Sequence, residues 1–162
     1  MSFNLTPSEQ LTHSTVRINC RIEDGTPSTG SGFFYMFAKH GTQGIPAIVT
    51  NKHVVAGAVD GWFSLTVKAE DGSPVVGNHV RITLDQFEDR WIPHADPNVD
   101  LCAMPIGPLL RQAEATGQLY FFVSLDESLL PSQAELGELG ALEDILKHSH
   151  DRVPQRNLGC DK

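Results

Sequence analysis

No stretch of this sequence holds about 18 consecutive apolar residues, the length that marks a membrane-crossing helix, so no span is expected. The first residues, MSFNLTPSEQLTHS, have neither a basic start nor a continuous apolar core, so they do not read as a secretion signal. Cysteine is sparse. Cys20, Cys102 and Cys160 form no metal-ligand spacing and cannot all pair within one chain. Cys20 and Cys102 sit in apolar runs, where buried free thiols are expected. A reducing compartment follows, and the cytoplasm is the expected location. Positive charge is also scarce, with 12 Lys and Arg against 20 Asp and Glu, a net charge of −8. No basic stripe exists to neutralise phosphates, so a nucleic-acid partner is not expected.

What remains is the composition of a globular domain, 40% hydrophobic and 20% charged over 162 residues. The charge is unevenly spread. Up to Leu146 there are 8 Lys and Arg against 18 Asp and Glu, whereas the last sixteen residues carry 4 against 2. That terminal segment, KHSHDRVPQRNLGCDK, has only two aliphatic residues and no period of 2 or 3.6.

From Ser14 to Ile106 the chain is a series of short β-type runs. In Thr15–Ile22 the strand period sets Val16, Ile18, Cys20 and Ile22 on one side, with Arg17, Asn19 and Arg21 on the other. Asp24-Gly25 marks a turn, and Gly32-Phe-Phe-Tyr-Met-Phe37 is a dense aromatic strand. Further strands are expected over 45–50, 62–67, 78–84, around Trp91-Ile92 and over 99–106. Asp71-Gly72-Ser-Pro74 and Ala95-Asp-Pro97 serve as turns between them. Seven or so closely spaced strands predict an all-β antiparallel barrel or sandwich. Past Pro108, Leu109 to Gly117 predicts a short helix with a glycine stop, and Leu119 to Val123 a strand or buried connector. Ser132-Gln-Ala-Glu135 has the spacing of a helix start.

Two segments bear on chemistry. Ile45-Pro-Ala-Ile-Val-Thr-Asn-Lys-His53-Val-Val is an apolar strand that stops at a polar pair and presents a histidine. Asn98-Val-Asp100-Leu-Cys-Ala-Met-Pro-Ile106 is an aspartate leading into a second apolar run. A lone histidine after a strand is ordinarily structural, and an aspartate before one ordinarily faces water. The context changes both readings. Thr50-Asn-Lys-His53-Val resembles the histidine motif T-[AN]-x-H-V of trypsin-like serine peptidases. Asp100-Leu resembles that family's Asp-[LVI]-A pattern, with Cys102 a one-residue departure. Asp96 and Asp85 are the rivals for this role, and neither leads into a buried strand.

The resemblance covers about residues 14–146. It implies the first antiparallel barrel of a two-barrel fold, with His53 as general base and then acid, and Asp100 as the carboxylate that orients it. Residues 1–13 would be an N-terminal segment, 14–107 the first barrel, and 108–146 a partly helical connector and the start of a second barrel. Residues 147–162 would be a divergent, disordered tail. The resemblance also implies a polypeptide substrate, with no cofactor and no metal.

A nucleophile is the missing part. The family order is His, Asp, Ser, and the serines after Asp100 (Ser124, Ser128, Ser132 and Ser149) sit in no Gly-x-Ser-Gly setting. Gly30-Ser31-Gly32-Phe33 precedes the histidine and is how the second barrel strand begins in bacterial members, with glycines allowing close packing. The expectation is therefore an incomplete, truncated or frameshifted serine endopeptidase, inactive alone. The alternative is a non-catalytic interaction module that binds a complementary chain, or aggregates, through the exposed barrel face. His148, His150, Asp151 and Cys160 are metal-ligand types, but their spacing fits no closed zinc pattern. His13, His40, His79 and His94 read as surface or loop residues.

Overall fold

The computed structural model describes residues 5–41, 43–130 and 132. The expected helix start at 132–135 and the basic tail with its histidines and Cys160 therefore lie essentially outside the described residues. The chain divides into two compact units, Met1–Glu127 and Ser128–Lys162. The first carries the whole described sheet.

Helix α1 (Pro7–Ser14) opens that unit. Thr6 and Glu9 form a reciprocal capping box, and Pro7 occupies the first helical position, where its missing N–H costs nothing. Strand β1 (Thr15–Ile22) follows directly and lies between β2 (Pro27–His40) and β4 (Ala58–Lys68). Val16, Ile18 and Cys20 are buried on one face, as the strand period predicts, while Arg17 and Arg21 are exposed. Arg21 forms an ion pair with Asp60 on the neighbouring strand. Beyond β2 come β3 (Gln43–Thr50) and the four-residue helical turn α2 (Lys52–Val55). After β4 come β5 (Pro74–Asp85), β6 (Ile92–Pro93) and β7 (Cys102–Pro105). Helix α3 (Gly107–Ala115) and the two-residue strand β8 (Tyr120–Phe121) complete the order.

The sheet is antiparallel, in the order β5-β4-β1-β2-β3-β7-β6, with β8 added to β4. Strand pairing does not close it. The strands at its two ends, β5 and β6, are consecutive in the chain but do not pair with each other. In place of the closed barrel expected from the sequence, the structure has an open antiparallel sheet. In the connection between these two strands Gln86 adopts φ +50°, and Phe87 drops into the core with no exposed surface. A short 3-10 turn, Glu88–Arg90, then carries the chain away from the β5 edge before β6 begins.

One apolar cluster forms the core, drawing Ile18, Phe34, Ile48, Phe63, Leu65, Phe87, Met104 and Ile106 from five strands and their connections. Trp91 packs edge-on against Phe87, with ring centroids 5.7 Å apart. After α3 the chain returns across the sheet as a strap. Val123 donates its N–H to the His13 carbonyl, and Leu125 makes two main-chain hydrogen bonds to the free edge of β2 at Phe34 and Met36. Phe122 stacks on Phe34, and Lys39 pairs with the nearly buried Asp126. His13, expected as a plain surface residue, stands edge-on to Phe121 at 5.0 Å.

Gly61 on β4 faces Phe87 so closely that a Cβ there would lie 2.6 Å from the ring. Gly61→Ala is expected to destabilise the fold by about 1–3 kcal/mol, as overpacking does. The cost should be non-additive with Phe87→Leu, and a double-mutant cycle by urea unfolding measures the coupling.

Candidate active site

The register between β3 and β7 builds the site. Thr50 pairs with Cys102 at the end of an antiparallel ladder, so the chain leaving β3 and the chain entering β7 meet at one rim. His53 lies just beyond the end of β3, and Asp100 just before the start of β7. Thr50 is buried, and its hydroxyl donates to the Ser31 carbonyl at 2.9 Å, which stops β3 at a fixed place. The chain then turns into α2, where Val54 N–H reaches the Asn51 carbonyl at 3.1 Å and Ala56 N–H the Lys52 carbonyl at 3.0 Å.

Val54 anchors that turn from beneath. Its carbonyl accepts from the Cys20 thiol at 3.2 Å and from the Ser28 hydroxyl at 3.0 Å. Its side chain rests on Gly30, where a Cβ would approach within 2.6 Å. The glycine of the Gly-Ser-Gly segment is thus needed for close approach. Ser31 has an exposed side chain, and its contribution here is a main-chain oxygen.

His53 Nδ1 lies 2.5 Å from Asp100 Oδ2, and the His53 main-chain N–H donates to Asp100 Oδ1 at 3.2 Å. The two residues singled out in the sequence are brought together, with the carboxylate engaging both the ring and the backbone of the histidine. Asp85 and Asp96 make no hydrogen bond or ion pair to His53; the Asp96 side chain instead caps the N–H of Asn98. Among the described residues His53 Nε2 has no hydrogen-bond partner. It is therefore free to take a proton from an incoming group.

Both partners of the pair face water. The His53 side chain is 71% exposed and that of Asp100 47%. The hydrogen bond from the His53 side chain still holds the Asp100 carboxyl below the ordinary carboxylate range, helped by the His53 backbone N–H. Cys102, two residues on, is no substitute nucleophile. Burial, with the Asp100 charge adding to it, pushes its thiol up to about 11, so almost no reactive thiolate exists at neutral pH. Both Cys20 and Cys102 are buried free thiols.

Sequence reading missed two contacts at this rim. Asn51 Nδ2 donates to the Asp100 carbonyl at 2.8 Å, and Lys52 Nζ to the Asp96 carbonyl at 3.2 Å. The only hint was the polar pair at the end of an apolar strand. The residues that follow Asp100, Leu101 to Ala103, line an apolar groove of about 260 Å³ together with Phe37, Val49 and Ile92. No group of three His, Cys, Asp or Glu among the described residues is placed to hold a metal ion, and no described helix is long and apolar enough to cross a membrane. Comparison with family models, with curated proteins and with solved structures finds no match to this chain.

A depressed folded-state carboxyl favours the folded form only while ionised. The Asp100 contribution is complete above the unfolded carboxyl pKa, near 3.9, and disappears as pH falls through the lower folded value. Asp24, Asp60 and Asp71, also held low by their own partners, share this acid limb. Asp100→Asn should therefore make the loss of stability in acid shallower without abolishing it, as read from urea midpoints measured from neutral pH downward.

Proposed function

We propose that this chain carries the proton-handling half of a trypsin-like serine peptidase site, with His53 as general base and acid and Asp100 as its orienting carboxylate. The observation that carries this reading is the two-point contact of one carboxylate with the ring Nδ1 and the backbone N–H of the same histidine. A carboxylate so placed fixes the imidazole tautomer with the proton on Nδ1 and leaves Nε2 as acceptor. The support is geometric, together with the Thr50-Asn-Lys-His53-Val and Asp100-Leu segments; the finer architecture, the first barrel of a two-barrel fold, belongs to the same proposal.

In the reaction, Nε2 would take the proton of a serine hydroxyl as it attacks a peptide carbonyl, and return it to the leaving amine. No Gly-x-Ser-Gly segment follows Asp100 in this sequence, so nucleophile and oxyanion donors must come from elsewhere. The chain by itself has no peptidase turnover on this reading. The substrate class is polypeptide.

A second reading, a peptidase-derived interaction module, draws on that apolar groove. Phe37, Ile92 and Leu101 are 41%, 62% and 39% exposed and line one groove. The partner fitting such a face is a complementary β-domain, consistent with the same family origin.

A fluorophosphonate probe is expected to label no serine of the isolated chain, and labelling of any serine would overturn the claim of inactivity. Proton NMR supplies the positive test. The His53 Nδ1 proton should resonate far downfield and vanish in Asp100→Asn. His53 ring carbon and nitrogen shifts that are the same in Asp100→Asn as in the native chain remove the base-and-carboxylate reading altogether.

A further inference from the structure

Asn51 stands at the N-cap position of α2, where asparagine is among the preferred residues because its side chain ordinarily accepts an N–H of the first turn. Here it makes no such bond. Its amide instead donates across the rim to the Asp100 carbonyl at 2.8 Å. The N–H of His53, in the first turn of α2, is taken by the Asp100 carboxylate. The two residues have exchanged duties: Asp100 caps the turn that carries His53, and Asn51 holds the main chain that carries Asp100.

The exchange matters because the ion pair cannot organise itself. Exposed pairs contribute about 0–1 kcal/mol and lose side-chain entropy on ordering. An aspartate in an unpinned segment would spend much of its time pointing elsewhere. The segment is already folded on itself, since Asp96 accepts from Asn98 N–H and from Val99 N–H, and His94 Nδ1 accepts from Asp96 N–H. Pinning its end at Asp100 therefore sets the direction of the carboxylate. Lys52 Nζ adds a second hold on the Asp96 carbonyl.

We propose that Asn51 is a positioning residue for the His53–Asp100 pair, its side-chain amide fixing the main chain at Asp100 so that the carboxylate meets His53 before any other part of a catalytic site is present. The inference rests on the reading of that pair as base and orienting carboxylate.

The test follows the Asp100 side-chain carbon through its acid titration by NMR, in the native chain and in Asn51→Ala, Asn51→Leu, His53→Ala and Gly61→Ala. His53, the nearby Lys52 and the Cys102 thiol, which stays neutral through the acid range, are the titratable groups near Asp100, and each remains in both Asn51 variants. Asn51→Leu keeps the branched shape of the side chain and loses the donor. Both Asn51 variants are expected to raise the Asp100 midpoint most of the way to its value in His53→Ala, and to weaken the downfield Nδ1 proton. Gly61→Ala, which crowds the core at Phe87 and not the rim, should leave both signals in place. An unchanged midpoint in the Asn51 variants, with His53→Ala still shifting it, overturns the positioning role and leaves the pair standing. No shift in His53→Ala overturns both. An equal shift in Gly61→Ala reduces Asn51 to general stability and also overturns the proposal.

Discussion

Antiparallel pairing of Thr50 with Cys102 is the contact on which the geometry of the rim depends. In a sheet the side-chain period is two, so a slip of one residue would turn Met104 on β7, or Ile48 on β3, outward. That slip is resisted by the core, where both residues are essentially inaccessible. The position of an exposed acid and base at the surface is therefore set by apolar packing two residue pairs inside. The buried hydroxyl of Thr50 adds a second lock, tying the end of β3 to β2 through the Ser31 carbonyl.

Rigid strands and a wet rim divide the work between them. Charges facing water interact through a high dielectric, and the same pair gains strength only when water is excluded. The described part of the chain supplies direction to the imidazole but not a dry environment for it. A second wall over the rim would supply that environment, together with the donors that stabilise developing negative charge. The groove at Leu101 to Ala103, lined by side chains with little polar surface, is the sort of face such a wall would cover.

Much of the sheet was legible because strand period and burial agree. The alternation of Val16, Ile18 and Cys20 was visible in the sequence, as was the turn at Asp24-Gly25 and the glycine that stops the helix near residue 117. Helix α1 was not, although Thr6-Pro-Ser-Glu9 spells a capping box; with no apolar face to reveal a period, a short helix is marked only by its ends. That the sheet stays open was also illegible, because periodicity does not encode which strands pair at its ends. His53 and Asp100 were found through flanking motifs. The contribution of Asn51 stayed hidden because residue preference points its side chain to its own turn, and only the fold brings the Asp100 carbonyl within reach.

The strap formed by Tyr120 to Asp126 joins the last part of the unit to its first, bonding Val123 to His13 and Leu125 to β2. A ribosome delivers these pieces in order, so α1 and the far edge of β2 emerge long before their covering segment exists. Distant contacts of this kind are slow to form, and an uncovered strand edge is an invitation to foreign pairing. For this chain the hazardous interval is set by the time of synthesis, and it ends only when residue 126 leaves the exit tunnel.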